Sequence, residues 1–150
     1  MSDKKFIIEQ YDTGKTYFRQ KKFDCGNKII NKFVHSSLKK QISQHFSQAY
    51  VLLDTGNSEC FSAFYTLASF KLSAPELDKL SQGSLPRDIP CVRLVMLGVD
   101  KSLQGQGIGK KMLEWAIERA KQRNAHLLQL TSGDLFLLRA KWKYATSWAN

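Results

Sequence analysis

Cys91-Val-Arg-Leu-Val-Met-Leu-Gly-Val-Asp100 leads through Lys101-Ser102-Leu103 into Gln104-Gly105-Gln106-Gly107-Ile108-Gly109, and an amphipathic segment fills residues 110–123. The apolar run reads as a buried strand and the periodic segment as a helix. Strand, glycine-rich turn and helix, in that order, make a backbone cradle for phosphate. The glycines let main-chain N–H groups approach an anion without Cβ clashes. The helix behind them adds unpaired donors and the positive end of its dipole, worth roughly 0.3–1 kcal/mol per anionic charge at an exposed site. The expected ligand is phosphorylated.

Two familiar phosphate loops fail on detail. A Walker loop needs Gly-x-x-x-x-Gly-Lys-Ser/Thr, whereas the glycines here fall on every second residue and Lys111 stands where the hydroxyl belongs. A dinucleotide fingerprint needs Gly-x-Gly-x-x-Gly and an acidic residue about 20 positions on. Here the third glycine comes one residue early, and Arg123, Asn124 and Ala125 occupy the acidic position. The third pattern, Gln/Arg-x-x-Gly-x-Gly/Ala between strand and helix, resembles the GNAT acetyltransferase superfamily. Gln104, Gly107 and Gly109 fill its defined positions, with Gly105 as companion and Asp100-Lys101-Ser102-Leu103 as the short lead-in. The resemblance implies acetyl-CoA as cofactor. Its pyrophosphate would lie on Gln104, Gly105, Gln106, Gly107, Ile108, Gly109 and Lys110, and its pantetheine arm along Leu97, Gly98 and Val99.

A chain of 150 residues with 43% apolar and 11% aromatic residues is expected to form one packed domain, residues 1–150. No window approaches the roughly 20 apolar residues of a membrane span, and the N-terminal apolar stretch is too short for a signal peptide. Cys25, Cys60 and Cys91 lack Cys-x-x-Cys spacing, and His35, His45 and His126 are scattered, so neither a metal site nor a Cys–His pair is expected. A cytoplasmic location is the expectation. The net charge is +10: residues 1–50 carry ten Lys/Arg against four Asp/Glu, residues 51–100 four against six, and residues 101–150 nine against three. Such basic ends would steer a polyanionic partner, or simply form a soluble basic surface.

Along the chain, Phe6, Ile7 and Ile8 suggest a first strand, and residues 12–22 a polar loop. Asn27 is placed as an N-cap, followed by a helix from Lys28 carrying Ile29, Ile30, Phe33, Val34 and Leu38 at helical spacing. Residues 50–53 read as a strand, 54–57 as a hairpin turn and 60–70 as a longer strand. A short helix is expected over 73–80, a loop over 82–90, and a helix over 110–123 burying Ile108, Met112, Ala116 and Ala120. A strand over 127–131 follows, then a last helix capped by Ser132 or Asp134 and running to about Trp148.

This order matches the GNAT core: an α/β (α+β) fold with a mixed, mostly antiparallel central sheet flanked by helices. The chain is similar, more closely, to the TacT-like and AtaT-like acetyltransferase toxins of bacterial type II toxin–antitoxin systems. Phe23-Asp24-Cys25-Gly26, Asn31-Lys32-Phe33-Val34, Phe64-Tyr65-Thr66-Leu67, Leu85-Pro86 with Ile89-Pro90, and the run from Val99 to Gly107 carry the likeness. It implies a toxin that transfers the acetyl group of acetyl-CoA to the α-amine of aminoacyl-tRNA and so blocks translation. A ribbon-helix-helix antitoxin and a possible homodimer would be its partners, with no membrane. Lys28, Lys32, Lys39, Lys40, Arg139, Lys141 and Lys143 are candidate tRNA contacts. Backbone N–H groups near Leu97 and Val99 would polarise the acetyl carbonyl, and Tyr144 would protonate the departing thiolate. The family continues through two more strands after the tyrosine helix, so these final strands are expected to be missing or supplied by a partner. A GNAT enzyme acting on a protein or small-molecule amine is one alternative. A truncated, non-catalytic remnant that binds coenzyme A or a partner is the other.

Overall fold

The computed structural model describes residues 5–45, 47–73, 88–123, 125, 127–130 and 135–137. Strand β1 (Phe6–Gln10) pairs antiparallel with β2 (Gln48–Asp54), Phe6 opposite Asp54 and Gln10 opposite Tyr50. Strands β3 (Cys60–Ser73) and β4 (Asp88–Val99) follow. β5 (Leu127–Leu130) runs parallel to β4, with Cys91 opposite Leu127 and Leu94 opposite Leu130, and β6 (Leu135–Leu137) runs antiparallel to β5. The strand order is β1-β2-β3-β4-β5-β6, a mixed and mostly antiparallel sheet. By its internal contacts the chain forms two compact units, Met1–Thr66 with Met96–Leu113, and Leu67–Val95 with Glu114–Asn150.

The first unit holds an aromatic core. β2 is buried from Ala49 to Asp54, as a near-continuous apolar run requires. β1, at the sheet edge, leaves Ile7 exposed and sets Glu9 against Lys15 Nζ at 3.1 Å. A charged, short edge strand is a poor template for unwanted pairing. Phe23 meets Phe61 and Phe64 edge-to-face at ring separations of 5.3 and 5.7 Å, and Phe33 stacks on Phe64 at 6.3 Å. Gly98, at the end of β4, is the close approach this cluster needs. A Cβ there would lie 3.0 Å from Phe64 and 3.3 Å from both Phe23 and Ile30.

Asn27 caps α1 (Lys28–Lys32) as its sequence position suggests, its side chain accepting from Ile29 N and Ile30 N. The helix then widens into a π turn (Phe33–Ser37) before α2 (Leu38–Ser43). The apolar stripe Ile30, Val34, Leu38, Ile42 explains why. A repeat of four drifts about 40° per step on a 3.6-residue helix, and one wide turn takes up the drift. α3 (Ile108–Gln122) begins two residues earlier than its charge pattern suggests and buries the expected Met112, Ala116 and Ala120.

In the second unit Leu67, Cys91, Val92, Leu94, Ala116, Ala120, Ala125 and Leu128 are buried. Arg93 donates through Nε to Gln129 Oε1 at 2.8 Å and lies over the Phe70 ring at 4.7 Å. Two expectations are corrected here. Residues 88–90, read as loop, already belong to β4. Leu135–Leu137, read as part of a helix, form β6, because a β-prone apolar triplet can pair with the edge of β5. The short helix expected over 73–80 and the rest of the last helix lie outside the described residues, apart from Ser73, which ends β3.

Candidate functional site

The end of β4 and the turn after it are organised by short polar side chains. Met96 N donates to Thr66 Oγ1 at 3.1 Å, and Asp100 N donates to Ser62 O at 2.9 Å. Successive amides of an extended strand point to opposite edges, so the Leu97 and Val99 N–H groups project from the other edge. Among the described residues the register with β5 covers Cys91 to Leu94, and these two amides lie beyond it. Asp100 Oδ1 then accepts from Ser102 N at 3.0 Å and Ser102 Oγ at 2.8 Å, which turns the chain into one 3-10 turn (Lys101–Leu103).

The glycine-rich turn follows. Gly105 and Gly107 have φ of +81° and +80°, which disfavour any residue with a Cβ, and a Cβ on either would meet nothing within 4 Å. Lys111 N donates to Gly107 O at 3.1 Å. The amides of Ile108, Gly109 and Lys110 before it therefore have no acceptor inside α3, as at any helix start. From residue 101 to 113 the only charged side chains are Lys101, Lys110 and Lys111. Lys101 pairs with Asp24 Oδ2 at 3.6 Å, so open space over two left-handed glycines, the first-turn amides, and Lys110 and Lys111 are the donor set that a diphosphate fits.

The Gln104 side chain does not reach into that space. Its Nε2 donates to Cys25 O at 2.8 Å and to Val99 O at 2.9 Å, tying the turn to the Phe23-Asp24-Cys25-Gly26 segment. That segment is clasped from several directions. Asp24 O accepts from Lys101 N at 2.8 Å, and Asp24 N donates to Asp100 Oδ2 at 3.2 Å. Asn31 holds both ends of the bend, donating to Asp24 Oδ1 and accepting from Cys25 N, each at 2.9 Å. The Asn31 amide, the Gly26 N–H and the nearby Lys101 hold the Asp24 carboxyl below the usual carboxylate range. Two signatures joined across 79 positions of sequence, from Cys25 to Gln104, are thus one assembly. Its ties, Asp24, Asn31 and Asp100, were not singled out as site residues, though short polar side chains beside turn glycines are the signal for such bends.

Lys28 and Lys32 are exposed on α1, and Lys39 and Lys40 on α2. Tyr144, Arg139, Lys141 and Lys143 lie outside the described residues. Among the described residues no group of three His, Cys, Asp or Glu side chains could hold a metal, and no helix is long and apolar enough to cross a membrane.

A mixed sheet whose fourth strand ends in this turn and helix defines a coenzyme A-dependent acyltransferase class. Residues 39–136 match the model of the acetyltransferase (GNAT) family, and the chain belongs to that family, whose cofactor is acetyl-CoA. Among solved structures it is similar to one described as the crystal structure of a bacterial toxin. That match has 33% identity and a TM-score of 0.76, over 85% of this chain and 73% of that one. It is also similar to AtaTR bound with acetyl-CoA, at 28% identity and TM-score 0.71, over 86% and 77% of the two chains. A third match is AtaT complexed with acetyl-methionyl-tRNAfMet, at 25% identity and TM-score 0.68, over 84% and 77%.

Proposed function

We propose that this acetyltransferase modifies the α-amine of an aminoacyl-tRNA and acts as a translation-blocking toxin held in check by a ribbon-helix-helix antitoxin. The observation that carries the reading is the likeness, over 84% of the chain, to AtaT complexed with acetyl-methionyl-tRNAfMet. The basic first and last thirds of the sequence support it, since a tRNA surface needs them.

Acetyl-CoA, when bound, supplies a thioester whose carbonyl carbon accepts the amine nitrogen while the C–S bond breaks. In this reading the amides of residues 105–110 take the diphosphate and fix the cofactor's position. The Leu97 and Val99 N–H groups face the thioester arm, where backbone donors stabilise developing negative charge. Tyr144 gives its phenolic proton to the leaving thiolate, and the proton shed by the acylated nitrogen restores it.

Purified protein mixed with labelled acetyl-CoA and total charged tRNA is expected to leave acetyl label on the amino-acid nitrogen. Cell-free translation should then stop only when acetyl-CoA is present. Acetyl-CoA binding without label on any charged tRNA would remove the tRNA reading and leave the acetyltransferase assignment standing.

A further inference from the structure

Away from the cofactor turn, the first unit carries a cleft of about 770 Å³ between the loop after β1 and the π turn. Its walls include Phe18, Arg19, Lys21, Lys22, His35 and Lys39, and among the described residues no Asp or Glu lines it. Lys15, also on the wall, is committed to Glu9 at 3.1 Å and Glu59 at 3.8 Å. Among the described residues, Arg19, Lys21, Lys22 and Lys39 have no carboxylate within ion-pair distance, and all four are exposed. Four uncompensated cations around one concavity repel one another, and an anion relieves them.

The cleft is built rather than incidental. Gln20 pins the loop to the helix, its Nε2 donating to Val34 O and its Oε1 accepting from Tyr11 OH, each at 3.0 Å. Tyr17 is buried below, stacked on Tyr11 at 4.8 Å. Arg19 is held in the left-handed region at φ 63°, an uncommon conformation for a residue with a Cβ, and Phe18 next to it leaves 49% of its surface in solvent. Wide helical turns of the kind opposite them concentrate at functional sites.

We propose that this cleft binds the phosphodiester backbone of an RNA strand. Arg19, Lys21, Lys22 and Lys39 meet successive phosphates, and Phe18 is a platform on which an unpaired base stacks. Basic side chains around a groove with one exposed ring are the arrangement that single-stranded nucleic acid takes. The choice of RNA over other polyanions rests on the acceptor reading above.

The test titrates unfractionated deacylated tRNA into the wild-type chain and into an Arg19→Gln/Lys21→Gln/Lys22→Gln variant over a series of salt concentrations. Acetyl-CoA calorimetry on both proteins serves as the folding control. The triple variant is expected to bind tRNA about 10- to 100-fold more weakly near physiological salt, with its log–log salt slope flattened by about 2–3. Acetyl-CoA affinity should not change. Phe18→Ala should cost about tenfold with the slope intact, because stacking carries no counterion release. A triple variant with wild-type affinity and slope overturns the proposal. So does a wild-type preference for duplex DNA over tRNA. If the wild type transfers no acetyl group to charged tRNA yet shows the slope change, the cleft stands and the acceptor reading falls. If it acetylates charged tRNA and the triple variant does so with the same KM, the cleft falls alone.

Discussion

Gly107→Glu is expected to lower acetyl-CoA affinity at least about 100-fold, a loss of roughly 3 kcal/mol. Two effects combine. A residue with a Cβ at φ +80° costs roughly 1–2 kcal/mol in the left-handed region. A carboxylate set beside a diphosphate adds about 4 kcal/mol per charge pair at 4 Å near a protein surface, before salt reduces it. Gly107→Ala separates the two. Its methyl group enters open space, so only the conformational cost remains and affinity should fall about 30-fold or less. Calorimetry with acetyl-CoA reads both variants. Wild-type affinity in Gly107→Glu would remove the turn from the cofactor site.

The second large effect is on stability. Gly98→Val is expected to destabilise the fold by about 3 kcal/mol or more, since inserting volume into a packed core costs roughly 1–3 kcal/mol and the new side chain here meets three neighbours. Its Cβ would stand 3.0 Å from the Phe64 ring, with Phe23 and Ile30 at 3.3 Å. Phe23 and Phe64 are buried and hold each other edge-to-face, so neither can swing aside without breaking the cluster. Valine's better strand propensity offsets at most about 1 kcal/mol. The clash wins, and the melting temperature should drop by about 6–12 °C. An unchanged melting temperature would mean that β4 does not press against this cluster.

The strand–turn–helix around Gln104 was legible because its signal is local. The glycines announce the turn, the apolar run before them the strand, and the four-residue spacing of Met112, Ala116 and Ala120 the helix. The N-cap at Asn27 was legible for the same reason, its side chain reaching amides two and three residues on. Contacts distant in sequence were not. Nothing in Phe23-Asp24-Cys25-Gly26 says that Gln104 donates to Cys25 O or that Lys101 N donates to Asp24 O. The likeness to a toxin family rests on both segments and does not reveal that they touch. The π turn was missed although its cause, an apolar repeat of four, lay in plain view. Arg19, Lys21 and Lys22 were passed over because a polar loop shows no period, and only folding sets them across from Lys39. β6 was misread because Leu135, Phe136 and Leu137 suit either a buried helix or a strand, and the free edge of β5 decided it.

Amide NMR tests the central claim most directly, through the backbone N–H groups of Gly105, Gly107, Ile108 and Gly109. Titration with coenzyme A should move these resonances strongly, as expected for donors that take up a diphosphate. An S-acetyl-pantetheine fragment without the diphosphate should leave them in place while moving Leu97 and Val99. If coenzyme A shifts other amides and leaves the three glycines where they were, the cofactor does not sit on this turn.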